Sequence, residues 1–150
     1  MGVSSLTADE LKELTTILDS HLKKHFERSN ERIEKRRDED YDEETEDEMM
    51  EEDDFDSYIL NRLSDIIHSL LVTYTDSYLA YFDTLVPHFY ALIQPTRSIS
   101  DRQWALCVFD DVVQFTGANS HRYAQFFLSR MAESLADPAP EVNSKHGSFL

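Results

Sequence analysis

Apolar residues recur at helical spacing through most of this chain, and the places where the spacing stops mark out its elements. Thr7-Ala8-Asp9-Glu10 has the form of a capping box, a hydroxyl and a carboxylate placed to satisfy the free amides of a helix start. Leu11, Leu14, Leu18, Leu22 and Phe26 then draw one stripe along a helix expected to reach about Arg37. Lys35, Arg36 and Arg37 suit its C-terminus, where the backbone carbonyls favour positive charge. The stripe resumes with Ile59, Leu60, Leu63, Ile66, Ile67, Leu70 and Leu71, so a second helix is expected to open near Asp54 or Asp56 and to end in a turn at Thr73 to Asp76.

A third helix is predicted from about Ser77 to Ile93, kinked at Pro87. Ser100-Asp101-Arg102-Gln103 reads as another capping box, opening a helix with Trp104, Leu106, Cys107, Val108, Val112 and Phe115 that Gly117 ends. Asn119 or Ser120 is expected to cap a last helix bearing Tyr123, Phe126, Phe127, Met131 and Leu135, stopped by Asp137-Pro138-Ala139-Pro140.

Sliding the sequence by 45 residues lays Asp65 on Asp110, Ile67 on Val112, Leu70 on Phe115, Tyr78 on Tyr123, Tyr81 on Phe126 and Phe82 on Phe127. Two helices per 40 to 47 residues is the period of HEAT and armadillo arrays, whose units bury their faces by stacking. The expected fold class is all-α, a HEAT-repeat α-solenoid fragment of about two helix pairs, with an unpaired N-terminal helix and an acidic insert that is disordered or helical. The expected divisions are 1–37 for that first helix, 38–56 for the insert, 57–97 and 98–137 for the two repeats, and 138–150 for the start of another.

The net charge of −16 belongs almost wholly to the insert. Residues 1–37 hold 8 basic and 7 acidic side chains, residues 38–56 hold 14 acidic and no basic, and residues 57–150 hold 6 and 9. Such a tract repels nucleic acid and anionic lipid and attracts basic protein. No nucleic-acid or membrane partner is therefore expected. A single cysteine, Cys107, excludes an intramolecular disulfide and a cysteine-based zinc site.

The acidic residues Asp38, Glu39, Asp40, Asp42, Glu43, Glu44, Glu46, Asp47, Glu48, Glu51, Glu52, Asp53 and Asp54 are the candidate protein-binding surface, read otherwise as a solvated loop. Asp38, Asp40 and Asp42 match positions 1, 3 and 5 of a calcium loop, but Glu43 stands where glycine turns the loop and Met49 where a bidentate glutamate is required. Thr45, followed by Glu46-Asp47-Glu48, suits an acid-directed kinase. His21 and His25 lie four apart without a third ligand, and Asp65 with His68 is at most a local hydrogen bond. Tyr74, Tyr78, Tyr81, Phe82, Phe89 and Tyr90 read first as inter-helix core. Neither a nucleophile elbow nor a phosphate loop occurs, so no catalytic residue, metal or cofactor is assigned and the chain is read as a non-enzyme.

Four stretches resemble the karyopherin-beta nuclear import receptors, within them the importin-5 type: DEDYDEE at 38–44, YILNRLSDIIHS at 58–69, DRQWALCVFDDVV at 101–113 and ADPAPEV at 136–142. The likeness runs from about Leu6 to Val142 and marks the chain as part of a longer receptor. It implies a monomeric carrier shuttling between cytoplasm and nucleus, with basic cargo proteins, Ran-GTP and phenylalanine-glycine nucleoporins as partners. Near Trp104 it implies a groove for the pore proteins. Asn143 to Gly147 departs from the family pattern. A HEAT scaffold subunit of an enzyme complex is the rival reading, and a cation-buffering acidic protein a third.

Overall fold

The computed structural model describes residues 5–125, 127, 128 and 132, which are helical or joined by short turns with no strand among them. Among the described residues, helices follow in the order α1 (Ala8–Arg36), α2 (Glu43–Tyr74), α3 (Leu79–Phe82), α4 (Val86–Leu92) and α5 (Ile99–Thr116). Tight 3-10 turns cover Thr75–Tyr78 and Gly117–Tyr123. The chain divides into two compact units, Met1–Leu63 and Ser64–Leu150, and α2 runs through the division.

In the first unit the Thr7 capping box forms as expected: Glu10 donates its amide to the Thr7 hydroxyl at 3.1 Å, and Thr7 donates its own to the Glu10 carboxylate at 2.8 Å. Leu11, Thr15, Leu18, Leu22, His25 and Arg32 are buried along one face of α1. The stripe thus starts apolar and ends charged. On α2, Met49, Asp56, Leu60 and Leu63 are buried at spacings of seven, four and three.

Two expectations change here. The second helix opens at Glu43 and not near Asp54, so most of the acidic tract is helix, one of the two states left open for it. Nor is α1 without a partner in its own unit, because that acidic half of α2 pairs with it. The reason is electrostatic: one face of the tract is neutralised by α1, which lowers the self-repulsion that argues against order in such a run.

In the second unit the break falls before Pro87 rather than at a kink within a helix. Residues 83–85 turn, and Pro87 takes the second position of α4, where its missing amide hydrogen leaves no bond unmade. Helix α5 opens two residues earlier than expected. Ser98 caps it, accepting the Asp101 amide at 3.1 Å. Gly117 ends it at φ 55°, a conformation other residues reach only with strain, and Thr75 adopts φ 50° at the end of α2.

The core of this unit is aromatic. Trp104 stacks on Phe89 at 5.4 Å, Phe89 on Phe82 at 5.3 Å, and Tyr123 meets Phe82 edge-on at 5.6 Å. Each such pair adds about 0.5–1.5 kcal/mol beyond the area it buries. Several hydrogen bonds join residues roughly one repeat apart: His68 with Asp111, Asn119 with Asp76, Arg122 and Tyr123 with Asp83, and Tyr123 with the Leu79 carbonyl. His68 therefore faces Asp111, at 3.0 Å, rather than pairing with Asp65. Where the last helix was expected to open, at Asn119 or Ser120, the chain forms the 3-10 turn Gly117–Tyr123, and residues 126, 129–131 and 133–135 of that helix lie outside the described residues, as does 138–150.

An acidic helix read by an arginine ladder

Helix α2 begins where Asp42 accepts both the amide and the hydroxyl of Thr45 at 2.8 Å, which holds the Asp42 carboxyl below its usual range. Asp38 accepts the Asp40 amide in the link that precedes it. From there the carboxylates separate by helical register. Glu46, Met49, Asp53 and Asp56 recur at three- and four-residue steps and share one face; Glu44, Glu48, Glu51 and Phe55 share another.

The first face meets three arginines spaced by four on α1. Arg36 grips Glu46 with Nε at 3.0 Å and Nη2 at 3.2 Å, the fork geometry of a strong guanidinium–carboxylate pair. Arg32 reaches Asp53 at 2.7 Å and Asp56 at 2.8 Å, and Arg28 donates to Asp56 at 2.7 Å. Residue numbers fall along α1 as they rise along α2, so the helices run antiparallel. Tyr41 donates its hydroxyl to Glu46 at 2.7 Å and closes the tip. The Arg36 hydrogen bonds, then that of Tyr41, hold the Glu46 carboxyl below its usual range, while Glu46 pushes the Arg36 and Tyr41 values up.

Burial grades along the ladder. The Arg36 and Glu46 side chains are 38% and 30% exposed, those of Arg32 and Asp56 only 5% and 3%. Losing one partner of the inner pair leaves a charge away from water, at a cost of about 3–5 kcal/mol, whereas the outer pair is screened by solvent and contributes far less.

Of the residues expected to form the binding surface, Glu46 and Asp53 are occupied by arginine, and Glu52 lies 3.8 Å from Arg32. Glu43, Glu44, Asp47, Glu48, Glu51 and Asp54 lie on α2 outside these ion pairs, while Asp38, Glu39, Asp40 and Asp42 precede the helix. Trp104 is placed elsewhere: at 8% exposure, with its ring against Phe89, it is core and offers no open face. Arg28, Arg32, Arg36 and Asp56 were not among the expected residues. Their signal is present in the sequence, as an arginine at every fourth position facing a stripe of acids.

Beside the ladder Arg28, Glu48, Glu51, Glu52, Phe55 and Asp56 line a groove of about 420 Å³. Phe55 is 61% exposed there. Among the described residues no group of three or more histidine, cysteine, aspartate and glutamate side chains could hold a metal ion, and no helix is long and apolar enough to cross a membrane. Cys107 is half-buried.

Compared with known protein families, the chain matches the model described as importin repeat 6 over residues 1–95, a span that holds α1, the acidic helix and α4.

Proposed function

We propose that this chain, which belongs to the importin repeat family of nuclear transport receptors, acts by binding protein, with the outer carboxylates of α2 taking up a basic segment of import cargo. Its all-α, HEAT-type fold is that of the family, whose members bind cargo and Ran-GTP and shuttle between cytoplasm and nucleus. The finer assignments form part of the proposal: membership of the importin-5 type, direct contact with Ran-GTP or phenylalanine-glycine nucleoporins, action as a monomer, and the absence of any catalytic step.

One observation carries the reading. The α1 arginines engage a single face of α2, and the carboxylates of Glu48 and Glu51 stand outside those pairs and line an open groove. A partner supplying lysine or arginine completes there the pairing that α1 makes on the inner face. Titration of the chain with a lysine-rich targeting peptide at low and at moderate salt tests this. Binding that weakens as salt is added is expected, as is further weakening in the Glu48→Gln/Glu51→Gln variant. Absence of binding at low salt refutes it.

A further inference from the structure

We propose that Tyr41 is a phosphorylation site for a tyrosine kinase that selects acidic sequences, and that Arg36 is the receptor that takes up the phosphate once it is in place. The site is independent of basic-segment capture by α2.

Asp38, Glu39 and Asp40 precede Tyr41 and Asp42, Glu43 and Glu44 follow it, so acids flank the hydroxyl-bearing residue on both sides. Kinases choose substrates largely by charge pattern, and a run of this sign fits a basic substrate cleft. Placement then singles out Tyr41. Of the seven tyrosines, Tyr58, Tyr74, Tyr78, Tyr81, Tyr90 and Tyr123 lie in helices or 3-10 turns, and Tyr41 alone lies in the link between α1 and α2. It is 39% exposed, and its amide is bonded to the Asp38 carbonyl at 3.1 Å within that same link. Opening such a link to present a side chain costs far less than unwinding a helix. Thr45, the other acid-flanked hydroxyl, stands inside α2 and donates its hydroxyl to Asp42 at 2.8 Å.

A cation already waits beside the Tyr41 hydroxyl. Tyr41 Oη and Arg36 Nε donate to the same Glu46 oxygen, Oε2, at 2.7 Å and 3.0 Å. In the transfer, Oη attacks the γ-phosphorus of ATP, the bond to the ADP oxygen breaks, and the phenol proton passes to the catalytic carboxylate of the kinase. The product has no hydrogen to give Glu46 and carries about two negative charges beside it. Glu46 is then repelled, and the guanidinium fork that grips it finds in the phosphate a stronger acceptor of matching geometry. Arg36 exchanges its carboxylate for the phosphate, while Arg32 and Asp56, with side chains 5% and 3% exposed, keep each other.

The full chain is incubated with ATP, magnesium and a tyrosine kinase active on a glutamate–tyrosine copolymer, and phosphotyrosine is located by tandem mass spectrometry. Tyr41 is expected to be modified about tenfold faster than Tyr58, although Tyr58 is the more exposed at 57%. Tyr41→Phe should remove most of the incorporated phosphate. Faster modification of Tyr58, or none of Tyr41, overturns the site. The receptor is read by phosphorus NMR of the chain phosphorylated at Tyr41. The second ionisation of its phosphate is expected about half a pH unit lower in the native chain than in the Arg36→Gln variant, with helix content by circular dichroism unchanged. Arg37→Gln removes the same charge from the neighbouring position and should move that ionisation less than half as far. Equal shifts in the two variants, or no shift in either, overturn the assignment of Arg36.

Discussion

The two units of this chain solve the same problem, holding helices against one another, with opposite chemistry. In the second, Phe82, Phe89, Trp104 and Tyr123 stack into a continuous aromatic core around α4 and α5. In the first, the far end of the α1–α2 pair has one fully buried apolar side chain, Met49, and is otherwise joined by arginines and carboxylates. Apolar packing is insensitive to pH and leaves no charge for a partner. An ion-pair ladder is sensitive to pH, and other acids of the same helix, Glu44, Glu48 and Glu51, stay outside it.

The comparison is tested most severely by removing its central members. Phe89→Ala is expected to destabilise the second unit by about 4 kcal/mol, read by urea denaturation, because a buried ring leaves a cavity. Asp56→Ala should cost the first unit about 3 kcal/mol, since buried Arg32 loses a carboxylate. The two losses differ in how they are repaired. Arg32→Met combined with Asp56→Leu is expected to return stability to within about 1 kcal/mol of the native chain.

Changes of pH should separate the units at opposite ends of the scale. The Glu46 carboxyl titrates below its ordinary value of 4.5 when folded, so its contribution is present above that value and is lost as pH falls through the lowered one. Tyr123 is pushed well above its ordinary value of 10.0 by burial and then by its hydrogen bond to Asp83, so its contribution is present below 10.0 and is lost as pH rises beyond it. Hydrogen exchange should therefore show the tip around Arg36 and Glu46 opening first in acid and the region around Tyr123 first in alkali. A common transition at both ends refutes the distinction.

Smaller effects sharpen it. Thr7→Ala and Ser98→Ala each remove a helix cap, one per unit, and should each cost about 1 kcal/mol in thermal denaturation. Thr75→Gly should instead stabilise the second unit by about 0.5 kcal/mol, by relieving a threonine at positive φ.

Much of the second unit is legible in the sequence, because its positions repeat. Ile67 and Val112, Tyr78 and Tyr123, and Phe82 and Phe127 coincide under the 45-residue shift, and all six are buried. Hydrophobic periodicity finds such a core directly. It misses the first unit's tip because the inward face of α2 there is written in aspartate and glutamate, and a rule that places charge on the surface reads the run as solvent-facing. Pairing the acids with Arg28, Arg32 and Arg36, all visible at four-residue spacing, would have predicted helix from Glu43. Trp104 misleads in the opposite direction. The family resemblance marks a groove for pore proteins near it, yet its partner Phe89 lies on another helix and only the folded chain brings the two together.

The buried Arg32–Asp56 pair also determines which of several alignments the hairpin adopts. Apolar side chains spaced by three and four are tolerant of sliding, since a shift of one heptad sets leucine against leucine again. A guanidinium displaced by a heptad towards the end of α2 meets Leu60 and Leu63 in place of Asp53 and Asp56 and stays buried and unpaired, a penalty large enough to exclude that alignment. The Arg32→Met/Asp56→Leu chain should accordingly be stable yet indifferent to register, with cysteine cross-links forming at more than one offset between α1 and α2. What the ion pair contributes is then uniqueness of the fold, and with it a fixed position for the carboxylates that face outward.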